Sequence, residues 1–240
     1  RQRPSTPMNL KQLREEVLEA NLEIVRRGLV LYTFGNASGY DRSSGLVAIK
    51  PSGVPYADLK PEDMVITDVN GKLVEGTLRP SSDLATHLAL YRAFDGIGGV
   101  VHTHSRYATA WAQAQREIPC LGTTHADYIR GAIPVTEHMS PDEIRSEYEL
   151  NTGHAIIRRF AHLSPLETPA VLVAGHAPFC WGQTPEEAAH MAVIVEELAH
   201  LAFITFTINA DAAALSDTLR DKHFFRKHGT TAYYGQPQES

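Results

Sequence analysis

Ile97-Gly98-Gly99-Val100-Val101-His102-Thr103-His104 is an apolar run that closes on two histidines, and it reads as a short buried strand with chemistry at its end. Side chains alternate faces along a strand, so His102 and His104 leave on one side, roughly 7 Å apart at Cα, and Thr103 leaves on the other. Such a pair is either two polar residues at a strand end or part of a metal site. A second run, Ala170-Val171-Leu172-Val173-Ala174-Gly175-His176, is also apolar and also ends on a histidine. Ala177-Pro178-Phe179 after it reads as a chain-turning segment where strand pairing stops. Three imidazoles from two strand ends would form an N3 donor set with an open position, the pattern of catalytic rather than structural zinc.

The 240 residues, 43% of them hydrophobic, suffice for one large domain, and no Gly/Ser-rich or Pro-rich linker divides them. Formal net charge is -6 and Lys and Arg do not cluster along any helix face. That argues against nucleic acid as the main partner and leaves room for a local anion site. Cys120 and Cys180 are isolated, without C-x-x-C pairing, and a domain of this size needs no disulfide, so the cytoplasm is the expected compartment. Residues 1–8, Arg-Gln-Arg-Pro-Ser-Thr-Pro-Met, lack the apolar core of a signal peptide and read as a disordered extension or expression remnant, with a start at Met8. The longest apolar segment, 188–206, carries His190, Glu196, Glu197 and His200, too many polar groups for a membrane span. A soluble protein with no membrane partner is expected.

Residues 9–27 place Leu10, Leu13, Val17, Leu18, Leu22 and Val25 at helical spacing, with Asn9 as N-cap and Gly28 just past the end. Short β-prone runs at 46–49, 64–67 and 72–74, separated by turn residues that include Asn70-Gly71, predict an antiparallel meander. Ser82 is placed to cap a helix through about Ala93, and a helix through Trp111 follows the His102 strand. Ser140-Pro141-Asp142-Glu143 and Thr184-Pro185-Glu186-Glu187 both read as capping boxes with proline at the first helical position; the second opens a helix to about Phe203. A last helix spans 216–228 and stops at Gly229. Strands and helices interleave without a regular βαβ rhythm. The expected fold class is therefore α/β, a single domain with a central, mostly antiparallel sheet flanked by helices on both faces.

Pro80-Ser81-Ser82-Asp83 offers hydroxyls and backbone N–H groups at a helix start, suited either to an anion or to an ordinary cap. Asp83, in the first helical turn, reads first as a dipole-matching acid, with a metal ligand as the alternative. Lys50-Pro51-Ser52-Gly53 supplies a cation and a hydroxyl, and Gly35-Asn36-Ala37-Ser38-Gly39 reads as a second glycine-flanked polar turn. Neither matches a nucleotide-binding loop or the nucleophile elbow G-x-S-x-G, which disfavours a nucleotide site and a serine hydrolase. Thr123-Thr124-His125-Ala126-Asp127-Tyr128 is either an acid poised for proton transfer or a surface loop. His223 and Arg226, three apart, share a helix face. His87, His138, His154, His162, His190 and His200 have no convergent partner in the sequence and are assigned to solvent or helix packing.

These motifs, with Lys222-His223 through Tyr234-Gly235-Gln236, closely resemble in order and over nearly the whole chain the L-ribulose-5-phosphate 4-epimerases of the class II aldolase superfamily. The motifs are shared by epimerases of arabinose catabolism and of sugar-acid pathways. The resemblance implies a class II aldolase-like fold over residues 9–240 and zinc, or another divalent metal such as Mn²⁺ or Co²⁺, on His102, His104, His176 and Asp83. It implies a phosphate pocket from Asn36, Lys50, Ser52, Gly53, Ser81 and Ser82. Asp127 and Tyr234 are implied as acid–base residues, with His223 and Arg226 contributed by a neighbouring subunit of a homotetramer whose active sites lie at subunit interfaces. The implied reaction interconverts L-ribulose 5-phosphate and D-xylulose 5-phosphate at C4. The alternative is a class II aldolase that cleaves a phosphorylated sugar; aldolases of this type place a glutamate near the Pro80-to-Asp83 motif, where this chain has the shorter Asp83.

Overall fold

The computed structural model describes residues 9–229 and 232–233, so residues 1–8 and Tyr234 lie outside the described residues. In chain order the elements are α1 (Leu10–Arg26), β1 (Gly35–Asp41), β2 (Leu46–Ile49), β3 (Val65–Asp68), β4 (Leu73–Glu75), α2 (Leu84–Ala93) and β5 (Gly99–Thr103). They continue through α3 (Arg106–Gln113), α4 (Thr123–Ala126), α5 (Pro141–Arg145), α6 (Tyr148–Arg159), β6 (Ala170–Leu172), β7 (Pro178–Gly182), α7 (Pro185–Ile208) and α8 (Asp217–Lys227). The strands form one open sheet in the order β4-β3-β2-β1-β5-β7-β6, and every neighbouring pair is antiparallel. The meander read from the sequence is its β4-β3-β2 edge.

The period of two along the strands sorts the core into two layers. Ala37, Val101, Cys180, Ala170 and Leu172 face α1, α3 and α7, whereas Val47, Val100, Val171, Phe179 and Trp181 face α2 and α6. Several helix starts follow the sequence signals. Asn9 accepts from Gln12 N–H, Ser140 from Glu143 N–H, Thr184 from Glu187 N–H and Ser216 from Leu219 N–H. Ser82 does not cap α2; Asp83 occupies that position with its carboxylate turned to Asn36 instead of to its own helix. The sequence pattern carried no sign of α6.

Two readings are corrected. Residues 35–39 are not a turn but the first part of β1, which pairs with both β2 and β5. Their low strand propensity is outweighed by tertiary partners. Asn21 of α1 donates to Ala37 O at 3.1 Å and accepts from Ala37 N–H at 2.9 Å, and a Cβ on Gly39 would lie 2.8 Å from Val17 and from Pro185. The small residues admit two helices onto the strand. Ala177-Pro178-Phe179 likewise does not end pairing, because Pro178 opens β7 and the chain turns earlier, through Gly175 at φ +70°, with Val173 N–H donating to Ala177 O. Proline is tolerated as the first residue of a strand.

Helix α7 is long and apolar enough to cross a membrane by length and composition. It packs Ala188, Ala192, Val195, Leu198, Ala199 and Ala202 into the core and leaves Leu201, Phe203, Ile204 and Ile208 exposed. Its start lies against β5, where a Cβ on Gly99 would fall 2.3 Å from Thr184 O and 2.6 Å from Pro185 Cα. Gly99→Ala is therefore expected to cost about 3 kcal/mol in urea unfolding, since backbone on both sides must move; an unchanged midpoint would contradict this packing.

Candidate active site

Register places the three histidines. His102 pairs with Phe179 across β5 and β7, His104 follows the end of β5, and His176 sits in the β6–β7 turn. One ring nitrogen from each lies within 4.8 Å of those of the other two. His102 stacks on Phe179 at 4.2 Å, and its Nδ1 is 2.9 Å from Pro178 O. A carbonyl only accepts, so Nδ1 carries the proton and Nε2 carries a lone pair. That lone pair faces His104 Nε2 at 3.1 Å. Two donors about 2.1 Å from one tetrahedral ion stand ~3.4 Å apart, so the nitrogens hold close to the spacing of metal ligands.

Protonation agrees with this. Burial pushes His102 down to about 3 and also lowers His104 and His176, leaving neutral imidazoles at neutral pH, the form that ligates. Asp83 stands beside them in the same pocket and receives the Asn36 side-chain N–H at 2.7 Å. Burial raises the Asp83 carboxyl, but the facing His102 and His87 and the Asn36 hydrogen bond outweigh it and hold the group below the usual carboxylate range. Three neutral nitrogens and a carboxylate oxygen fit a divalent transition ion.

The cavity over these groups has a volume of about 370 Å³. It is also lined by Asn36, Lys50, Ser52, Gly53, Ser81 and Ser82, so the structure gathers all six residues of the implied phosphate pocket around the histidines. Ser52 N–H donates to Arg79 O and Ser81 N–H to Lys50 O, which joins the two loops, and the Ser81 hydroxyl accepts from Asp83 N–H at 3.4 Å. Lys50 is buried; its ammonium donates to Pro51 O and Val54 O and lies 4.8 Å over the Tyr56 ring. Burial pulls it down to about 8, so it stays mainly charged at neutral pH. Tyr148, Glu149, Thr33 and Phe34 also line the cavity and were missed in the sequence. Tyr148 Oη is 3.5 Å from His176 Nδ1, a contact between residues 28 apart that no local signal announces.

Asp127 is elsewhere in the chain. At the end of α4 it receives Arg226 at 3.0 and 2.7 Å, His223 at 3.0 Å and Lys227 at 3.3 Å, and its carbonyl oxygen takes His228 Nε2 at 2.9 Å. Asp127, His223 and Arg226 thus form one cluster and do not line the histidine cavity of their own chain. His87 departs from its expected role. It is fully buried, with Nδ1 2.7 Å from Ser38 Oγ, and burial pushes it down to about 4.

Residues 15–203 match the model of the class II aldolase and adducin N-terminal domain family. The chain belongs to this family. Among curated class II aldolase relatives it is 53% identical over 227 residues to L-ribulose-5-phosphate 4-epimerase UlaF of Salmonella paratyphi A, covering 95% of this chain and all of that protein. The same figures hold for the Salmonella typhi protein of that name. Among solved structures, an L-fuculose 1-phosphate aldolase superposes with a TM-score of 0.78 at 26% identity, covering 92% of this chain and 99% of that one. The L-fuculose-1-phosphate aldolase of Thermus thermophilus gives 0.65 at 25% identity, over 86% of this chain and all of that one.

The Asp127 cluster sets an acid limit on stability. Burial raises its carboxyl, but the bonds from Arg226, His223 and Lys227 outweigh it and hold the group at about 2, against 3.8 in a free chain. A depressed carboxyl stabilises the fold above its unfolded value and loses that contribution as pH falls toward the folded one, here between about 4 and about 2. Asp127→Asn should cost roughly 2 kcal/mol at pH 7 in urea unfolding, with the gap to wild type closing across that window. A pH-independent gap would rule out this linkage.

Proposed function

We propose that the protein is a metal-dependent L-ribulose-5-phosphate 4-epimerase, interconverting L-ribulose 5-phosphate and D-xylulose 5-phosphate by retro-aldol cleavage and re-addition. The observation that carries the proposal is the 53% identity, along the whole length of the Salmonella epimerase, of a chain whose three histidines share one cavity with Lys50 and the serine loops. The hydrogen on C4 is not acidic, so simple proton removal cannot invert that carbon; breaking the C3–C4 bond instead leaves a stabilised enediolate and glycolaldehyde phosphate. A divalent metal, zinc in our reading, on His102, His104, His176 and Asp83 would neutralise negative charge developing on the sugar oxygens, worth several kcal/mol.

The chain's own groups do the rest. His102 is locked in the ligating tautomer by Pro178 O, and Asn36 orients the Asp83 carboxylate. Lys50 and the hydroxyls of Ser52, Ser81 and Ser82, with the open backbone at Gly53, grip the phosphate, so the aldehyde fragment turns without leaving. Asp127 and Tyr234 are assigned the proton transfers at the C4 oxygen from opposite faces, with His223 and Arg226 beside Asp127. Since the Asp127 cluster is remote from the cavity of its own chain, this assignment requires a neighbouring subunit to supply it. The exposed stripe Leu201, Ile204 and Ile208 on α7 supports a homotetramer as the setting, in the cytoplasm, where the buried thiols of Cys120 and Cys180 stay reduced.

A class II aldolase is the second reading, favoured by the superposition on L-fuculose 1-phosphate aldolase. Purified protein with Zn²⁺ and L-ribulose 5-phosphate, followed by NMR, is expected to yield D-xylulose 5-phosphate; free glycolaldehyde phosphate as the main product would establish the aldolase instead. Lys50→Met should raise KM for the phosphosugar at least ~10-fold while metal content stays at wild-type level, because a charge-assisted contact to phosphate is lost. Equal turnover of the unphosphorylated pentulose by wild type would refute that role. Tyr234→Phe should slow epimerisation ~10²–10⁴-fold with metal binding intact, and full activity in this variant would remove Tyr234 from the mechanism.

A further inference from the structure

Asp83, His87 and Tyr91 recur every four residues at the start and along α2, so they share one helix face, and that face lies against β1. On β1, Asn36 and Ser38 are two apart and share a side. The result is two rungs between strand and helix. Asn36 Nδ2 donates to Asp83 Oδ2 at 2.7 Å, and Ser38 Oγ lies 2.7 Å from His87 Nδ1 and 2.7 Å from Tyr91 Oη. Ser38, His87 and Tyr91 are all essentially inaccessible to solvent. His87 Nε2 is buried as well and has no hydrogen-bond partner among the described residues.

We propose that Tyr91, Ser38 and His87 form a positioning chain that fixes the proton of His87 on Nε2, one helical turn from Asp83, so that a donor rather than a lone pair faces that side and keeps the carboxylate aimed at the metal centre. The inference rests on the reading of Asp83 and the three histidines as a metal site. Ser38 has one proton and two lone pairs, so it gives that proton to His87, gives it to Tyr91, or accepts from both. In one, Tyr91 donates to Ser38, Ser38 donates to His87 Nδ1, and the imidazole proton sits on Nε2. In the other two, His87 Nδ1–H donates to Ser38, and a bare Nε2 lone pair stands on the helix face one turn from the Asp83 anion. The carboxylate favours an N–H and disfavours a lone pair, which selects the first arrangement. Phe179 meets the His87 ring edge-on at 6.0 Å while stacking on His102, so one ring spaces the chain from the histidine cluster. His87 and its partners touch neither metal nor substrate; they act through Asp83.

Two measurements on the full-length protein test this. In ¹⁵N-histidine-labelled metal-free protein, long-range ¹H–¹⁵N correlation should show His87 as the Nε2–H tautomer, its signals assigned by their loss in His87→Gln. The Nδ1–H tautomer would overturn the proposal. Zn²⁺ affinity, read by competition with a chromophoric chelator, should weaken ~10–100-fold in Ser38→Ala and in Tyr91→Phe, the usual cost of removing a group that orients a ligand. Tyr91→Phe deletes one hydroxyl and keeps the buried ring, so it reports on affinity even if Ser38→Ala folds poorly. A purely structural role would lower Tm in both variants and leave the Zn²⁺ constant within twofold of wild type, which also overturns the proposal. Asp83→Asn separates the underlying reading: wild type that takes no Zn²⁺, or Asp83→Asn that binds as tightly as wild type, refutes the metal assignment itself.

Discussion

The His102 imidazole is held between a carbonyl and a ring, and the rest of the site is arranged around that restraint. Pro178 O takes the Nδ1 proton and Phe179 covers one face, so Nε2 is left as a lone pair with a fixed direction. Both restraints come from the residues that open β7, the strand paired to β5 in a register that sets His102 opposite Phe179. A slip of one residue would send His102 to the opposite face of the sheet, into the layer of α1, α3 and α7. The apolar cores on both faces of the sheet therefore fix the register, and the register fixes the donor set. The β6–β7 turn brings His176 back within reach because the chain reverses through Gly175, whose positive φ a side chain would strain.

Strands β1 and β5 are central, and both are thin where helices lie close. Gly39, Gly98 and Gly99 stand where the backbone or side chains of α1 and the segment around Thr184 approach to under 3 Å of any added Cβ. Polar side chains from neighbouring elements tie the helices down further. Glu196 of α7 takes the Tyr107 and Ala108 N–H groups at 2.9 Å each, capping α3 from a different helix, and Arg42 donates to the Tyr91, Phe94 and Ile97 carbonyls at the end of α2. Helix α2, which presents Asp83, is thus anchored at both ends by groups distant in sequence.

The sequence was legible where periodicity and caps act locally. Asn9, Ser140, Thr184 and Ser216 each mark a helix start, and the β-prone runs near residues 46, 65 and 73 are strands. The three histidines could be found because each follows an apolar run. What could not be read depends on distant partners. Residues 35–39 look like a turn because glycine, asparagine and serine are poor strand formers in isolation; pairing with β2 and β5, with Asn21, Asp83 and His87 taking their polar groups, makes them a central strand. Pro178 looks like a strand terminator until its place at the first position of β7 is known. His87 looks solitary because its partner Ser38 lies 49 residues away. Tyr148 and Glu149 reach the cavity only through the packing of α6 on α2, which no motif encodes.

Charge is divided between two centres within the chain, and the division constrains how any reaction is assembled. The histidine cavity keeps its imidazoles neutral and is lined by two acids, Asp83 and Glu149, and one cation, Lys50. The second centre binds Asp127 so firmly to Arg226, His223 and Lys227 that α4 and α8 are joined through it, with the Arg130–Asp221 pair adding a further tie. A carboxylate held this way cannot swing alone toward a distant substrate, because leaving its donors would strand buried charge at a cost of several kcal/mol. Asp127 can therefore meet a phosphosugar only where α8 comes with it. In the epimerase proposed above, α4 and α8 would have to reach the substrate together, as one prepared unit.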